Sequence, residues 1–422
     1  MLQLNIIRDN KDEIIRRLTK KNFKVEIIDQ VISIDADRRK TQAELDAIKA
    51  EGNIISKQVG ELMKAGKKAE ADDLKNKSIA LKESEKSLQN SLNKFEEETY
   101  QLLVLIPNLA NDQVPAGKTP EENKIVFTHG EIPTLPANAK PHWELASQYD
   151  LIDFELGNKI TGAGFPVYKG KMARLQRALI NFFLDRATAA GYLEIQPPIL
   201  INKDSGFGTG QLPDKEGQMY HCGVDDLYLI PTAEVPITNI YRDVILKAED
   251  FPVMNCGYTP CFRREAGSYG SDVRGLNRLH QFDKVELVQL AHPSKSYDVL
   301  EQMREYVAGL LKDLELPFRT LLLCGGDMSF ASAMTYDMEV FSAAQKKWLE
   351  VSSVSNFESF QANRLKLRFR EGTEKPQLAH TLNGSALALP RICAALLENN
   401  QTPDGIRIPQ VLRSYTGFDI IN

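Results

Sequence analysis

The chain reads as an α+β protein: an antiparallel β-sheet flanked by helices, preceded by a long antiparallel α-helical coiled-coil hairpin. Three observations predict this. Residues 27–103 carry no proline and repeat apolar residues at helical and heptad spacing. The later segments that bear candidate chemistry are short and strand-like, and two amphipathic helices, 171–190 and 297–314, lie among them.

Bulk properties bound the rest. A chain of 422 residues is too long for one ordinary core and fits two or three domains. Its hydrophobic fraction of 42% and charged fraction of 26% are those of a soluble globular protein. No apolar run approaches the roughly 20 residues needed to cross a bilayer. The first residues, MLQLNIIRDNKDEIIRR, are charged too early for a secretion signal, so a cytoplasmic location and no membrane partner are expected. Cysteines 222, 256, 261, 324 and 393 form no CxxC pair, which argues against a disulfide framework or a zinc ribbon. A net charge of −5 excludes a generally basic nucleic-acid binder, so any RNA contact must come from local patches.

The N-terminal region, 1–106, is built around the hairpin. In the first helix Val31, Ile34, Leu45, Ile48, Ile55, Val59 and Leu62 keep a three-four spacing, interrupted by Arg38, Thr41 and Gly52. In the second, Leu74, Leu81, Leu88, Phe95 and Leu102 recur every seventh residue, the mark of a left-handed seam. Gly66, in a stretch with no apolar stripe, permits the reversal. A helix of about 32 residues at about 1.5 Å per residue makes an arm of about 50 Å. Lys64, Lys67 and Lys68 surround its tip, and Arg38, Arg39 and Lys40 lie along its shaft. These cations can meet phosphates; interleaved acids equally suit a solvated face or a dimerisation coiled coil.

Prolines 107, 115, 120, 133, 136 and 141 break any long element, making 107–141 a linker into a second domain over 142–422. The helix Lys171 to Ala190 ends at Gly191 and runs into a strand, 192–196, before Pro197 and Pro198. The helix 297–314 has Leu300, Met303, Val307, Leu310 and Leu314 on one side, a core-facing cover.

The candidate chemistry lies between and beyond these helices. In TPCFRREAGSYGSDVRGLNRLHQFDKVE two strand-like segments flank a glycine-rich basic turn. Strand alternation places Arg263 and Glu265 on one face of the first segment, and Phe282 and Glu286 on one face of the second. A guanidinium, an aromatic plate and two carboxylates suit a nucleotide plus a small zwitterion. No G-x-x-x-x-G-K-[ST] occurs, so a P-loop is excluded. The glycines of SGFGTGQLP, lacking a strand-loop-helix context, are expected in a mobile loop. LYLIPTAEVPITN ends a strand-like run at Pro231 and presents Thr232 and Glu234, whose commoner role is helix capping. WLEVSSVSNF sets Glu350 beside Ser352 and Ser353, hard oxygen ligands suited to magnesium, or else a polar edge strand. In TLNGSALALPRICAALLE a strand gives way to a helix opened by Pro390, so Arg391 sits at a helix start and suits a phosphate.

These residues resemble, in order, the motifs of class II aminoacyl-tRNA synthetases in the wording of seryl-tRNA synthetases. Residues 171–198 resemble motif 1, 256–290 motif 2 (FRREAG, then HQFDKVE) and 381–399 motif 3, with TGQLP, TAE and EVSSVSNF between them. The resemblance spans practically the whole chain.

It implies a class II antiparallel sheet and a serine–tRNA ligase that forms seryl-adenylate from ATP with Mg2+. Its expected partners are L-serine and tRNA(Ser), with tRNA(Sec) kept open as a second acceptor. A homodimer with tRNA bound across subunits by the arm follows from the same resemblance.

Arg263 and Arg391 are then catalytic. Serine is held by Thr232, Ala233, Glu234, Glu286 and Ser385. ATP meets Arg263, Arg264, Glu265, Phe282, Glu350, Val351, Ser352, Ser353 and Arg391, with Mg2+ on Glu350 and Ser353. The chain departs from the family at Ala386 and Pro390, where glycine is usual, and at Arg264, where serine is frequent. A methyl at Ala386 is expected to weaken ATP affinity. The rival readings are an amino acid:carrier-protein ligase and a non-catalytic paralogue acting as a coiled-coil scaffold.

Overall fold

A computed structural model describes residues 1–266 and 274–422; the glycine-rich turn predicted in motif 2, with Gly267 and Gly270, lies outside the described residues. The chain divides into two compact units, Met1–Thr19 with Phe23–Pro107, and Lys20–Asn22 with Asn108–Asn422.

The first unit holds the predicted hairpin, formed by the helices Glu26–Lys64 and Lys68–Leu105. At 39 and 38 residues they are longer than expected, about 58 Å each at about 1.5 Å per residue. Gly66, at φ 76°, makes the reversal. The predicted heptad series is half-buried, and a second series set three residues earlier, Ala71, Ser78, Glu85, Leu92 and Thr99, completes the seam. Small and polar residues in that second series keep the seam thin. Near the base, Asp35 is fully buried and faces the guanidiniums of Arg38, Arg39 and Arg8 at 2.8, 3.1 and 3.5 Å. A carboxylate there is tolerable only because it is paired.

The second unit is organised on an eight-stranded sheet. Its strands, in chain order, are β1 (Lys124–His129), β2 (Leu193–Glu194), β3 (Val253–Phe262), β4 (Gln281–Ala291), β5 (Phe318–Leu322), β6 (Met334–Ser342), β7 (Lys347–Asn356) and β8 (His380–Ala388). Across the sheet they run β1-β5-β6-β7-β8-β4-β3-β2. All neighbours are antiparallel except β2, which lies parallel to β3. Three expectations need correction. The proline-rich 107–141 stretch supplies the edge strand β1, because between Pro120 and Pro133 no proline interrupts ladder bonding to β5. The strand expected over 192–196 shrinks to two residues. The polar segment at Glu350 is interior, with β6 and β8 on either side, and not an edge.

Side-chain alternation on β4 divides the unit. Val285 and Leu287 enter the main core, where the helices Gly170–Ala189, Ser296–Asp313 and Leu389–Asn399 contribute Leu175, Phe183, Leu300, Met303 and Ile392. Lys284 and Glu286 point the other way. Burying each of the large side chains in that core contributes roughly 1.5–3 kcal/mol, which makes the sheet a rigid floor.

The first half of the segment expected as a mobile loop, 205–209, belongs to a helix, Lys203–Thr209, capped by Asn202, whose Oδ1 accepts from Ser205 N at 2.9 Å; 210–213 lie outside any helix or strand. Its glycines serve packing: a Cβ at Gly206 or Gly208 would meet Leu212 at 2.8 Å or Leu365 at 2.5 Å. Four of the five cysteines are buried, Cys222 is half-buried, and all are unpaired thiols. No helix among the described residues is long and apolar enough to cross a membrane.

Candidate active site

The even face of β4 carries a buried polar cluster. Glu286, with no exposed surface, accepts from Thr232 Oγ1 at 2.9 Å and from Asn383 Nδ2 at 3.2 Å. The Lys284 ammonium pairs with Glu286 and donates to Thr232 Oγ1 at 3.0 Å. Thr232 Oγ1 also accepts from Glu234 N at 3.3 Å, but the N-cap of the Glu234–Asn239 helix is Ala233 with no side-chain cap, so Thr232 lies one residue ahead of the expected capping position and faces the cluster.

Glu234 stands next to this pair. Its Oε1 accepts from Gln361 Nε2 at 2.6 Å, and Gln361 is held in turn by Thr209 O at 3.0 Å and Thr381 Oγ1 at 2.6 Å. Burial, aided by the nearby Glu286, pushes the Glu234 carboxyl up to about 7 against the opposing pull of Gln361, Lys284 and Arg263. Ser385 lies opposite Glu286 in the β4–β8 ladder and is buried. Ala233 packs with Ile237 and Val288, a structural contact.

Arg263 sits at the rim, its guanidinium 5.2 Å from the Phe282 ring centroid and its Nε 3.4 Å from Pro231 O. The strand alternation expected for Arg263 and Glu265 fails, because β3 ends at Phe262 and Glu265 turns to φ 50°. Two backbone bonds set the direction instead: Arg263 N to His280 O at 2.9 Å, and Arg264 N to Gln218 O at 2.8 Å. Arg264 is exposed, and Glu265 is paired with Arg278.

On β7 a bulge, with Met338 opposite Ser352 but Glu339 opposite Glu350, breaks the alternation. Val351 therefore joins the core, Ser352 donates to Ser385 O at 2.6 Å, and Glu350 is exposed with its carboxylate 3.6 Å from Arg391. Ser353 is half-buried opposite Asp337, whose Oδ1 is buried with no hydrogen-bond partner. Arg391 starts the Leu389–Asn399 helix as predicted and donates to Glu350 O at 2.7 Å and Asn277 O at 3.0 Å. Ala386 is fully buried in the core cluster.

Sequence reasoning missed Lys284, Gln361, Asn383 and Asp337. Lys284 had a signal, since it lies midway between Phe282 and Glu286 at period two. Asn383 had the same signal, two residues before Ser385 on β8, whereas Gln361 and Asp337 come from elements remote in sequence and carry none.

Residues 220–400 match the tRNA synthetase class II core domain (G, H, P, S and T). An antiparallel floor with one arginine over an aromatic ring and a second at a helix start thus defines a class II aminoacyl-tRNA synthetase. Residues 1–110 match the Seryl-tRNA synthetase N-terminal domain. A serine--tRNA ligase of Salinibacter ruber is 50% identical over 421 residues, covering 99% of this chain and 98% of that protein. The seryl-tRNA synthetase of Pyrococcus horikoshii, solved with ATP, superposes with a TM-score of 0.95 at 33% identity over 100% of this chain and 99% of that one. The cytoplasmic serine-tRNA ligase of Naegleria fowleri, solved with AMP, has a TM-score of 0.90 at 26% identity over the same shares. The chain belongs to the seryl-tRNA synthetase family.

Proposed function

We propose that the protein activates L-serine with ATP to seryl-adenylate and transfers the seryl group to the 3′ end of tRNA(Ser), with tRNA(Sec) open as a second acceptor. The observation that carries the reading is the buried Thr232–Lys284–Glu286 cluster with Glu234 beside it. These groups offer acceptors for an ammonium and a hydroxyl in a space walled by fixed side chains. A site that pairs with a hydroxyl rejects alanine, because alanine would strand its buried polar groups.

Arg263 bridges the serine carboxylate and the ATP α-phosphate, holding nucleophile and electrophile in line and neutralising charge that builds at phosphorus. Phe282, packed on the core, offers its ring to adenine on the side where Arg263 lies, and Glu265 meets the adenine amino edge. Arg391 takes the terminal phosphate. The adenylate carbonyl is then attacked by a terminal tRNA hydroxyl, and AMP leaves.

Glu350 and Ser353 suit Mg2+. Burial and the nearby Glu350 push the Asp337 carboxyl opposite Ser353 well up, and a divalent cation beside its unpartnered Oδ1 would favour the ionised form. Among the described residues no group of three or more His, Cys, Asp or Glu side chains could hold a metal ion. Mg2+ would be held by Glu350 and Ser353 together with the triphosphate, whose charge it would neutralise.

The arm, 1–106, contacts tRNA through Lys64, Lys67 and Lys68 at its tip and Lys40 on its shaft; Arg38 and Arg39 are engaged by Asp35. A homodimer places each arm against tRNA charged by the partner. The carrier-protein ligase reading does not explain so long a hairpin, and the scaffold reading does not explain a buried polar site so densely hydrogen-bonded.

The test is charging of total tRNA with each labelled amino acid, alongside amino-acid-dependent pyrophosphate exchange. Serine alone is attached. Serine-dependent exchange without tRNA charging would favour the carrier-protein reading, and absence of both the scaffold.

A further inference from the structure

The limb of chain that returns from motif 2, Arg274 to Asn277, rests on a pair of side chains that the activity described above does not use. His142 and Trp143 open the helix His142–Gln148. His142 is fully buried, and its Nε2 accepts from Leu276 N at 2.8 Å. Accepting a backbone N–H requires an unprotonated Nε2, so the ring proton sits on Nδ1.

That proton is donated to Glu398 Oε1 at 2.7 Å. Glu398 is itself fully buried at the end of the Leu389–Asn399 helix, where His142 N at 2.9 Å, Gln345 Nε2 at 2.8 Å and Ser342 Oγ also donate to it. Such a carboxylate, with donors on both oxygens, fixes the imidazole tautomer and plane. Against that plane lies Gly275, at φ 68°, where a Cβ would come within 2.2 Å of His142 Nε2. The Arg274 guanidinium covers the Trp143 ring at 4.7 Å, and the Trp143 and His142 rings meet edge-on at 4.9 Å.

A second route leaves the same carboxylate. Gln345, bound to Glu398, accepts from Asn277 Nδ2 at 2.9 Å, and Asn277 O accepts from Arg391 Nε at 3.0 Å. The two routes bracket Leu276 and Asn277, and the Asn277 carbonyl is one of two, with that of Glu350, to which Arg391 donates.

We infer that His142 is a positioning residue for nucleotide binding: anchored by Glu398, it fixes the returning limb of motif 2 at Leu276 and thereby the carbonyl of Asn277 that aims Arg391 at the terminal phosphate. This rests on the role proposed above for Arg391. The Glu398 end of the helix and its Arg391 start thus form one rigid frame around the loop.

Asparagine and glutamine in place of His142 divide the two functions of the ring. In the His142→Asn variant the shorter amide reaches the position of Nδ1 and keeps the bond to Glu398, but leaves Leu276 N without an acceptor. In the His142→Gln variant the longer side chain brings its amide oxygen to the position of Nε2 and restores that acceptor. In full-length protein, His142→Asn is expected to raise KM for ATP about tenfold in serine-dependent pyrophosphate exchange, with KM for serine unchanged. His142→Gln recovers most of that increase at a similar melting temperature.

Equal KM values for ATP in the two variants would overturn the inference, as would parallel changes in the ATP and serine constants that follow the loss of folded protein. Should His142→Asn not fold, Gln345→Met cuts the second route and is expected to raise KM for ATP severalfold; an unchanged value overturns the inference. Arg391→Ala serves as the control. If it leaves KM for ATP unmoved, the Arg391 role itself fails; if it raises KM while His142→Asn does not, only the positioning role fails.

Discussion

Thr232 Oγ1 stands 2.9 Å from Glu286 Oε2 and 3.0 Å from Lys284 Nζ, so a single hydroxyl joins both members of a charge pair buried on the floor of the proposed serine site. Breaking such a pair by removing one member costs about 3–5 kcal/mol, whereas replacing both with apolar groups of similar volume is often neutral. Lys284→Met is therefore expected to lower unfolding stability in urea by several kcal/mol, and Lys284→Met/Glu286→Leu to regain most of it. Neither variant performs serine-dependent pyrophosphate exchange. Equal stability of the single and double variants would show that the pair is not desolvated.

Glu234 links serine affinity to pH. Burial raises its carboxyl to about 7, so the folded state keeps a proton that the unfolded chain gives up at lower pH. This contribution to stability is full below the ordinary carboxyl range and is lost as pH rises to about 7. The serine ammonium favours the ionised form, and binding below that pH expels a proton. KM for serine is expected to rise roughly fivefold to tenfold from pH 7.5 to pH 6, tracking the protonated fraction. Calorimetry in buffers of different ionisation enthalpy should detect the released proton, and Glu234→Gln should abolish both effects.

The two arginines should separate kinetically. Arg263→Ala removes charge stabilisation at the reacting phosphorus and is expected to lower kcat for adenylate formation about 10²-fold to 10³-fold. Arg391→Ala, acting on the far phosphate, mainly raises KM for ATP. Single-turnover formation of seryl-adenylate would reveal an inverted assignment, with Arg263→Ala as fast as the parent.

The tip lysines should reveal themselves through salt. If Lys64, Lys67 and Lys68 each neutralise a tRNA phosphate, log Kd plotted against log salt should lose about 2–3 units of slope in the triple alanine variant. Adenylate formation without tRNA stays at the parental rate. A parental slope in the triple variant would move the contact elsewhere on the arm.

The hairpin is legible because a heptad repeat is local: Leu74 through Leu102 announce a seam with no knowledge of the rest of the chain. The Arg263, Phe282 and Glu286 group is legible because one hairpin of strands carries all three. Gln361 reaches the same cluster from a separate helix, and no spacing rule extends that far. At Gly206 and Gly208 propensity misleads, since glycine weakens a helix by about 1 kcal/mol each, yet close packing on Leu212 and Leu365 outweighs that cost. At Glu265 the alternation rule fails because the strand has already ended, which no residue pattern marks.

The arm's buried apolar side chains are unevenly spread. Ile28, Val31, Leu45, Leu92, Leu103 and Val104 hold its root, whereas toward the tip beyond Ile55 only Ala71 is fully enclosed. Fraying the last few turns would therefore forfeit little packing, while moving the root of the first helix against the N-terminal helix Leu4–Asp9 would break the Arg8–Asp35 pair. A limb stiff at its origin and compliant at its far end can meet substrates of differing contour without disturbing the chemistry at the other end of the chain.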